Sequence, residues 1–193
     1  MPIRAGLAAM LALALAGCIS LGPKVPETLL TLTPERTVAV GATSAGQPSS
    51  ALVVLEPASA QRLAVVRVPV QVDAASVAYL QDAVWVERPA RLFQHLLSET
   101  IRARGGRLVV GDGEVEYAAA TQLGGQLMEM GYDAPSGSVI VRYDAVLQMP
   151  GGEVRTRRFE STVSGVAAEA AAVGPALNQA ANRVAAEVAE WVG

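Results

Sequence analysis

The chain has 193 residues, with 15 basic and 18 acidic side chains for a formal charge of −3, and a single cysteine. That length suits one domain with a sizeable core, and the mild acidity gives no electrostatic footprint for nucleic acid. One cysteine excludes a disulfide within the chain.

In chain order, the first element reads as a targeting segment. Arg4 is the only charged residue before Cys18, and Ala5 to Ala16 are apolar or small, the layout of a secretory signal. The run falls short of the about 20 apolar residues that a spanning helix needs. Leu15, Ala16, Gly17 and Cys18 spell L-A-G-C, which resembles the lipobox of bacterial lipoproteins. That resemblance implies a diacylglyceryl group on the Cys18 sulfur, cleavage after Gly17 and acylation of the new α-amino group. An ordinary buried thiol is the competing reading; it needs the charge, the apolar run and the tetrapeptide to coincide by accident. Two or three acyl chains on one residue make a stable anchor where a single chain binds only marginally. Residues 1–17 are therefore expected to be the signal peptide and 18–27, with Pro23 and Pro26, a lipidated tether. Residue 19 is isoleucine, where an aspartate in enterobacterial lipoproteins favours the inner membrane, so the outer membrane is the expected location.

Residues 28–193 form the expected domain. "TLLTLT" (28–33) is a candidate first strand, and "GATSAGQPSSA" that follows is a polar loop. "ALVVLEP" (51–57) and "RLAVVRVPV" (62–70) are β-branched, apolar and bounded by turn formers, as strands are. From Pro89 to Arg104 the period changes. Leu92, Phe93, Leu96, Leu97 and Ile101 share one helical stripe and Arg91, His95, Glu99 and Arg102 the other side, with Pro89 suited to the first turn and Gly105-Gly106 to the stop. "RLVV" (107–110) reads as a short strand and 119–130 as a longer one, in which Gly124 and Gly125 mark a place where something packs close. Residues 138–149 alternate, with Val139, Val141, Tyr143, Ala145 and Leu147 on one face, and 153–164 return after Pro150-Gly151-Gly152 as a hairpin. Pro175 to Val192 is helical, with Leu177, Ala181, Val184, Val188 and Trp191 near one stripe and Asn178, Asn182 and Arg183 opposite. The expected fold class is α+β: a mostly antiparallel sheet with two amphipathic helices packed on one side.

Chemistry is harder to find. His95, the only histidine, falls on the polar side of its helix with no G-x-S-x-G elbow in the chain, so a solvated side chain outweighs a general base. Glu114 and Glu116 read as surface charge. The glycines form neither a dinucleotide fingerprint nor a P-loop. No enzyme activity, cofactor or metal is expected. Tyr79, Leu80 and Trp85 are large residues ahead of the helix; they either close the core or offer a partner or subunit contact.

Together the lipobox, the proline-bearing tether, "LLTLTP", "LAVVRV" and above all "YLQDAVWVERPARLFQHLL" (79–97) resemble the ABC-type transport auxiliary lipoproteins. The resemblance implies a periplasmic lipoprotein serving an MCE-type system that moves lipid between membranes. Its partners would be an MCE-domain protein with an ABC permease and ATPase, and its role docking or lipid handover, with a homo-oligomeric ring as one arrangement. Arg88 departs from the apolar residue that related sequences often carry before the proline. The alternative from another class is a structural or assembly lipoprotein of a different envelope machine.

Overall fold

The computed structural model describes residues 28–110 and 121–193. The signal, Cys18 and the tether, together with Gly111, Gly113, Glu114 and Glu116, lie outside the described residues. The described residues hold eight strands and two long helices, in the order β1 (Leu52–Val54), β2 (Ala58–Ser59), β3 (Arg67–Gln71), β4 (Val77–Val84), α1 (Pro89–Arg104), β5 (Val109–Val110), β6 (Thr121–Asp133), β7 (Ser138–Gln148), β8 (Val154–Ser164) and α2 (Ala170–Val192).

The long strand β6 organises the sheet. One edge pairs antiparallel with β7 along its length, and β7 pairs antiparallel with β8. The other edge is shared in succession by β1, β2 and β3, all parallel to it. β5 extends the sheet beyond β1 in parallel, and β4 extends it beyond β3 in an antiparallel hairpin. The long ladders are antiparallel and the short ones parallel, so the sheet is mixed but mostly antiparallel, as expected.

Alternation in β7 buries Val139, Val141, Tyr143, Ala145 and Leu147 in one core with both helices. Helix α1 keeps the predicted bounds. Pro89 loses nothing at a position whose N–H has no intrahelical partner, and Gly105 takes φ 78°, which costs a glycine little. Phe93 of α1 meets Tyr143 of β7 edge to face, with centroids 5.2 Å apart. The Tyr143 hydroxyl donates to the Gly124 carbonyl, and burial holds its pKa far above the ordinary phenol value. Helix α2 begins at Ala170, five residues before the expected Pro175. Proline inside a helix forfeits one hydrogen bond, a cost offset here by packing of the preceding turn. A Cβ on Gly174 would lie 2.7 Å from Leu30 Cδ2, so that turn is pressed against the start of the domain.

In β6 the alternation of Thr121, Leu123 and Leu127 passes to Met130 and Tyr132, because a bulge falls between Leu127 and Glu129. Arg62 fills it, donating to the Met128 carbonyl at 3.2 Å. The outer face of the sheet carries paired charges: Glu129 lies 3.0 Å from Arg142 and 3.5 Å from Arg62, and Arg158 grips Asp144 with two hydrogen bonds. Those bonds hold the Asp144 carboxyl below its ordinary range. The pairing is thus complete above the usual carboxylate pKa and lost as pH falls through the depressed one.

The close approach expected at the paired glycines falls on the second. Gly125 has φ 132°, and a Cβ there would lie 2.0 Å from the Asp144 carbonyl oxygen, whereas at Gly124 the nearest atom, Leu55 Cδ1, is 3.6 Å away. Gly125→Ala should therefore destabilise the domain by about 1–3 kcal/mol. Gly124→Ala should stay within about 0.5 kcal/mol. Urea denaturation of both variants checks the contrast.

Candidate functional site

The stretch between β4 and α1, singled out in the sequence, meets the beginning of the domain. Between the pairs Pro69–Tyr79 and Arg67–Val84 the ladder takes in three more residues of β4 than of β3. Residues 80–83 bulge outward as a result. Asp82 adopts φ 56° at the crest, a conformation aspartate tolerates better than most residues, while Leu80 and Ala83 turn back into the core.

Trp85 lies where three segments join. Its N–H donates to the Val66 carbonyl at 2.8 Å, just ahead of β3. On the opposite edge Leu30 makes a one-residue parallel bridge to it, through Leu30 N–H to Val84 O (2.7 Å) and Val86 N–H to Leu30 O (2.9 Å). The indole is 1% exposed, and its N–H finds no acceptor among the described residues, a desolvation cost that burial of the ring must outweigh.

The expected first strand of residues 28–33 is thus a single bridge that continues as a strap over the helices. Side chains, not a neighbouring strand, satisfy its backbone. Asn178 Oδ1 accepts from Thr33 N–H at 2.8 Å, Asn182 Oδ1 from Glu35 N–H at 2.9 Å, and Glu99 Oε1 from Val38 N–H at 2.8 Å. Asn182 Nδ2 donates back to the Thr33 carbonyl at 2.9 Å and to the Asn178 carbonyl. Asn178 and Asn182, assigned from periodicity to the solvent side, clamp the strap instead, and Asn182 is buried. An asparagine a turn after another inside an alanine-rich helix is the one signal in the sequence that could have pointed to a clamp.

Of the three residues marked as partner or subunit contacts, Leu80 and Trp85 lie in the core and Tyr79 is partly exposed, with the Arg67 guanidinium 4.6 Å above its ring. Leu29 and Val86, flanking the bridge, are each 46% exposed. His95 is exposed at the edge of a cavity of about 350 Å³ between strap and α1. Ser98 and Glu99 share that wall, yet no hydrogen bond links His95 to either among the described residues. Glu99 already serves Val38 and Arg102. No group of three potential metal ligands occurs among the described residues, and no described helix is long and apolar enough to cross a membrane.

Residues 30–189, from the bridge at Leu30 almost to the end of α2, match the family described as ABC-type transport auxiliary lipoprotein component. The chain belongs to that family. Among curated proteins nothing matches. Among solved structures the auxiliary lipoprotein is similar to the protein XCC0632 from Xanthomonas campestris, assigned to DUF330, at 18% identity and a TM-score of 0.71, covering 86% of this chain and 94% of that one. It is also similar to an uncharacterized protein at 15% identity and a TM-score of 0.63, covering 75% and 93%. At such identities the likeness is one of fold, and it extends over nearly the whole of both relatives.

Burial separates the aromatic residues of this auxiliary lipoprotein in a measurable way. Trp85→Ala should cost about 3–5 kcal/mol, whereas Tyr79→Ala, which forfeits an exposed cation–π contact, should cost about 0.5–1 kcal/mol. Thermal unfolding of the isolated domain distinguishes them.

Proposed function

We propose that the protein is a non-catalytic lipoprotein of the bacterial envelope, anchored through Cys18 to the periplasmic face of the outer membrane, and that it serves an MCE-type lipid transport system as the docking or handover component. The signal peptide of residues 1–17 and the tether of 18–27 belong to this reading, with residues 28–193 as the working domain. The observation that carries it is continuity: the family match begins at Leu30, twelve residues after the L-A-G-C cysteine, and at that point the strap joins the core. Force or position imposed by an anchored Cys18 would thus enter the domain at Trp85 and pass to both helices through Asn178, Asn182 and Glu99.

Partners in this reading are an MCE-domain protein and its ABC permease and ATPase, with a ring of identical subunits as the assembled form. Among the three residues first marked for contact, Tyr79 is the one with accessible surface, and Leu29 and Val86 extend that surface beside the strap. Leu80 and Trp85 would act by holding it in shape.

Cys18→Ser should abolish lipid labelling and release the protein from the membrane fraction, either uncleaved or soluble in the periplasm; membrane fractionation and acyl labelling unchanged from the wild type would contradict the anchor. His95→Ala should leave lipid-transport phenotypes intact and shift stability by less than about 0.5 kcal/mol. A folded His95→Ala protein without function would restore an enzymatic reading.

A further inference from the structure

One end of the domain is built from three turns joined by backbone hydrogen bonds. Gln71 at the end of β3 accepts from Ala134 N–H of the β6–β7 turn at 2.9 Å, and Gly137 of that turn accepts from Val166 N–H, just after β8, at 3.0 Å. The Tyr132 hydroxyl donates to the Val166 carbonyl at 2.9 Å. The β3–β4 hairpin projects from this end, with every residue from Val72 to Ala78 exposed, Val72 to 46% and Val77 to 45%. Its tip is pre-formed: Val72 N–H bonds to Ser76 O at 2.9 Å, and the Asp73 carboxylate accepts from Ala75 N–H at 2.8 Å.

Composition distinguishes this end. The turns Ala134–Ser136 and Gly165–Ala168 carry no charged side chain of their own, and the charges beside them and at the hairpin tip are acidic: Asp133, Glu169 and Asp73. At the opposite end, where α1 stops and β7 turns into β8, stand Arg104, Arg107, Glu153 and Arg155.

The course of the chain decides which end lies nearer the anchor. β4 runs from the hairpin towards Trp85, and Leu30 runs parallel to it. The chain therefore enters the described residues from the hairpin side of Trp85. Gly174, in the second turn of α2 and close to that same end, lies against Leu30. Nine residues lie between Cys18 and Thr28, and ten steps of at most about 3.3–3.6 Å keep an anchored bilayer within roughly 35 Å of Thr28.

We infer that the β3–β4 hairpin tip is a second membrane contact, in which Val72 and Val77 enter the interfacial layer of the lipid surface that holds the anchor, so that the domain stands with the end bearing Arg104, Arg107 and Arg155 directed away from the bilayer. Two valines and three alanines bury too little apolar surface to bind a membrane alone. Held close by the lipid, they need only orient the domain, since tethering makes the second contact intramolecular. Asp73 then lies at the headgroup level. The inference rests on the Cys18 anchor proposed above.

The test uses the full lipidated protein in phosphatidylcholine vesicles. With Cys18 acylated, Ala75→Cys supplies the only free thiol for an environment-sensitive fluorophore, and Gly151→Cys places the same label in the β7–β8 turn at the other end. Nitroxide quenchers near the top of the acyl chains should cause a loss of fluorescence at position 75 and none at 151. Adding Val72→Asp and Val77→Asp to the Ala75→Cys protein should abolish that loss while the protein still floats with the vesicles. Absence of quenching at 75 in floating protein, or quenching at 151, overturns the inference and leaves the anchor standing. Protein that does not float with vesicles overturns the anchor, and this contact with it.

Discussion

The burial of Trp85 is the constraint on which the other parts depend. A residue 1% exposed stands at the junction of β4 with the chain before β3 and with the entering chain at Leu30, where backbone hydrogen bonds of residues 84–86 hold the three segments together. α1 starts four residues later at Pro89, so the helix has little freedom once the indole is seated. The bulge at 80–83 follows from the same demand. Leu80 and Ala83 reach the core on either side of a crest at Gln81 and Asp82, and the ladder must absorb three residues to allow it. The indole N–H, without an acceptor among the described residues, is a cost set against the burial of the ring.

From this junction the strap leads to the helices. A strand would have satisfied its backbone in a sheet; instead two asparagines and a glutamate from α2 and α1 do so. Side-chain oxygens from two different helices tie the beginning of the domain to the layer that also packs on β7 and β8. Under the proposed anchoring at Cys18, the domain thereby gains a firm attachment point, as the proposed adaptor role requires. His95, the only histidine in the sequence, is exposed and bonded to neither Ser98 nor Glu99 among the described residues.

Legibility in the sequence followed the range of the interactions. α1 was readable to the residue because its stripe, its first-turn proline and its terminal glycine are all local. The β7–β8 hairpin was readable because period-2 alternation and Pro150-Gly151-Gly152 sit side by side in the chain. The parallel pairing of β1, β2 and β3 with β6 was not, since the partners lie about 60–70 residues away and β-branched runs carry no record of direction. The strap was misread as a strand for the same reason: "TLLTLT" has the local pattern, but Asn178 and Asn182, roughly 145 residues on, supply what a strand would have. Of the expected contact residues, large size marked Leu80 and Trp85 correctly as structurally weighty without revealing which face they take.

The attachment of the strap to the two helices is most directly measured by native-state amide hydrogen exchange of residues 30–38. The amides of Leu30, Thr33, Glu35 and Val38 should exchange with protection approaching that of the α2 core, and replacing Asn182 by leucine should lower protection at Thr33 and Glu35 while leaving β7 unchanged. Exchange of all four amides at the rate of an unstructured chain in the wild-type protein would contradict the account.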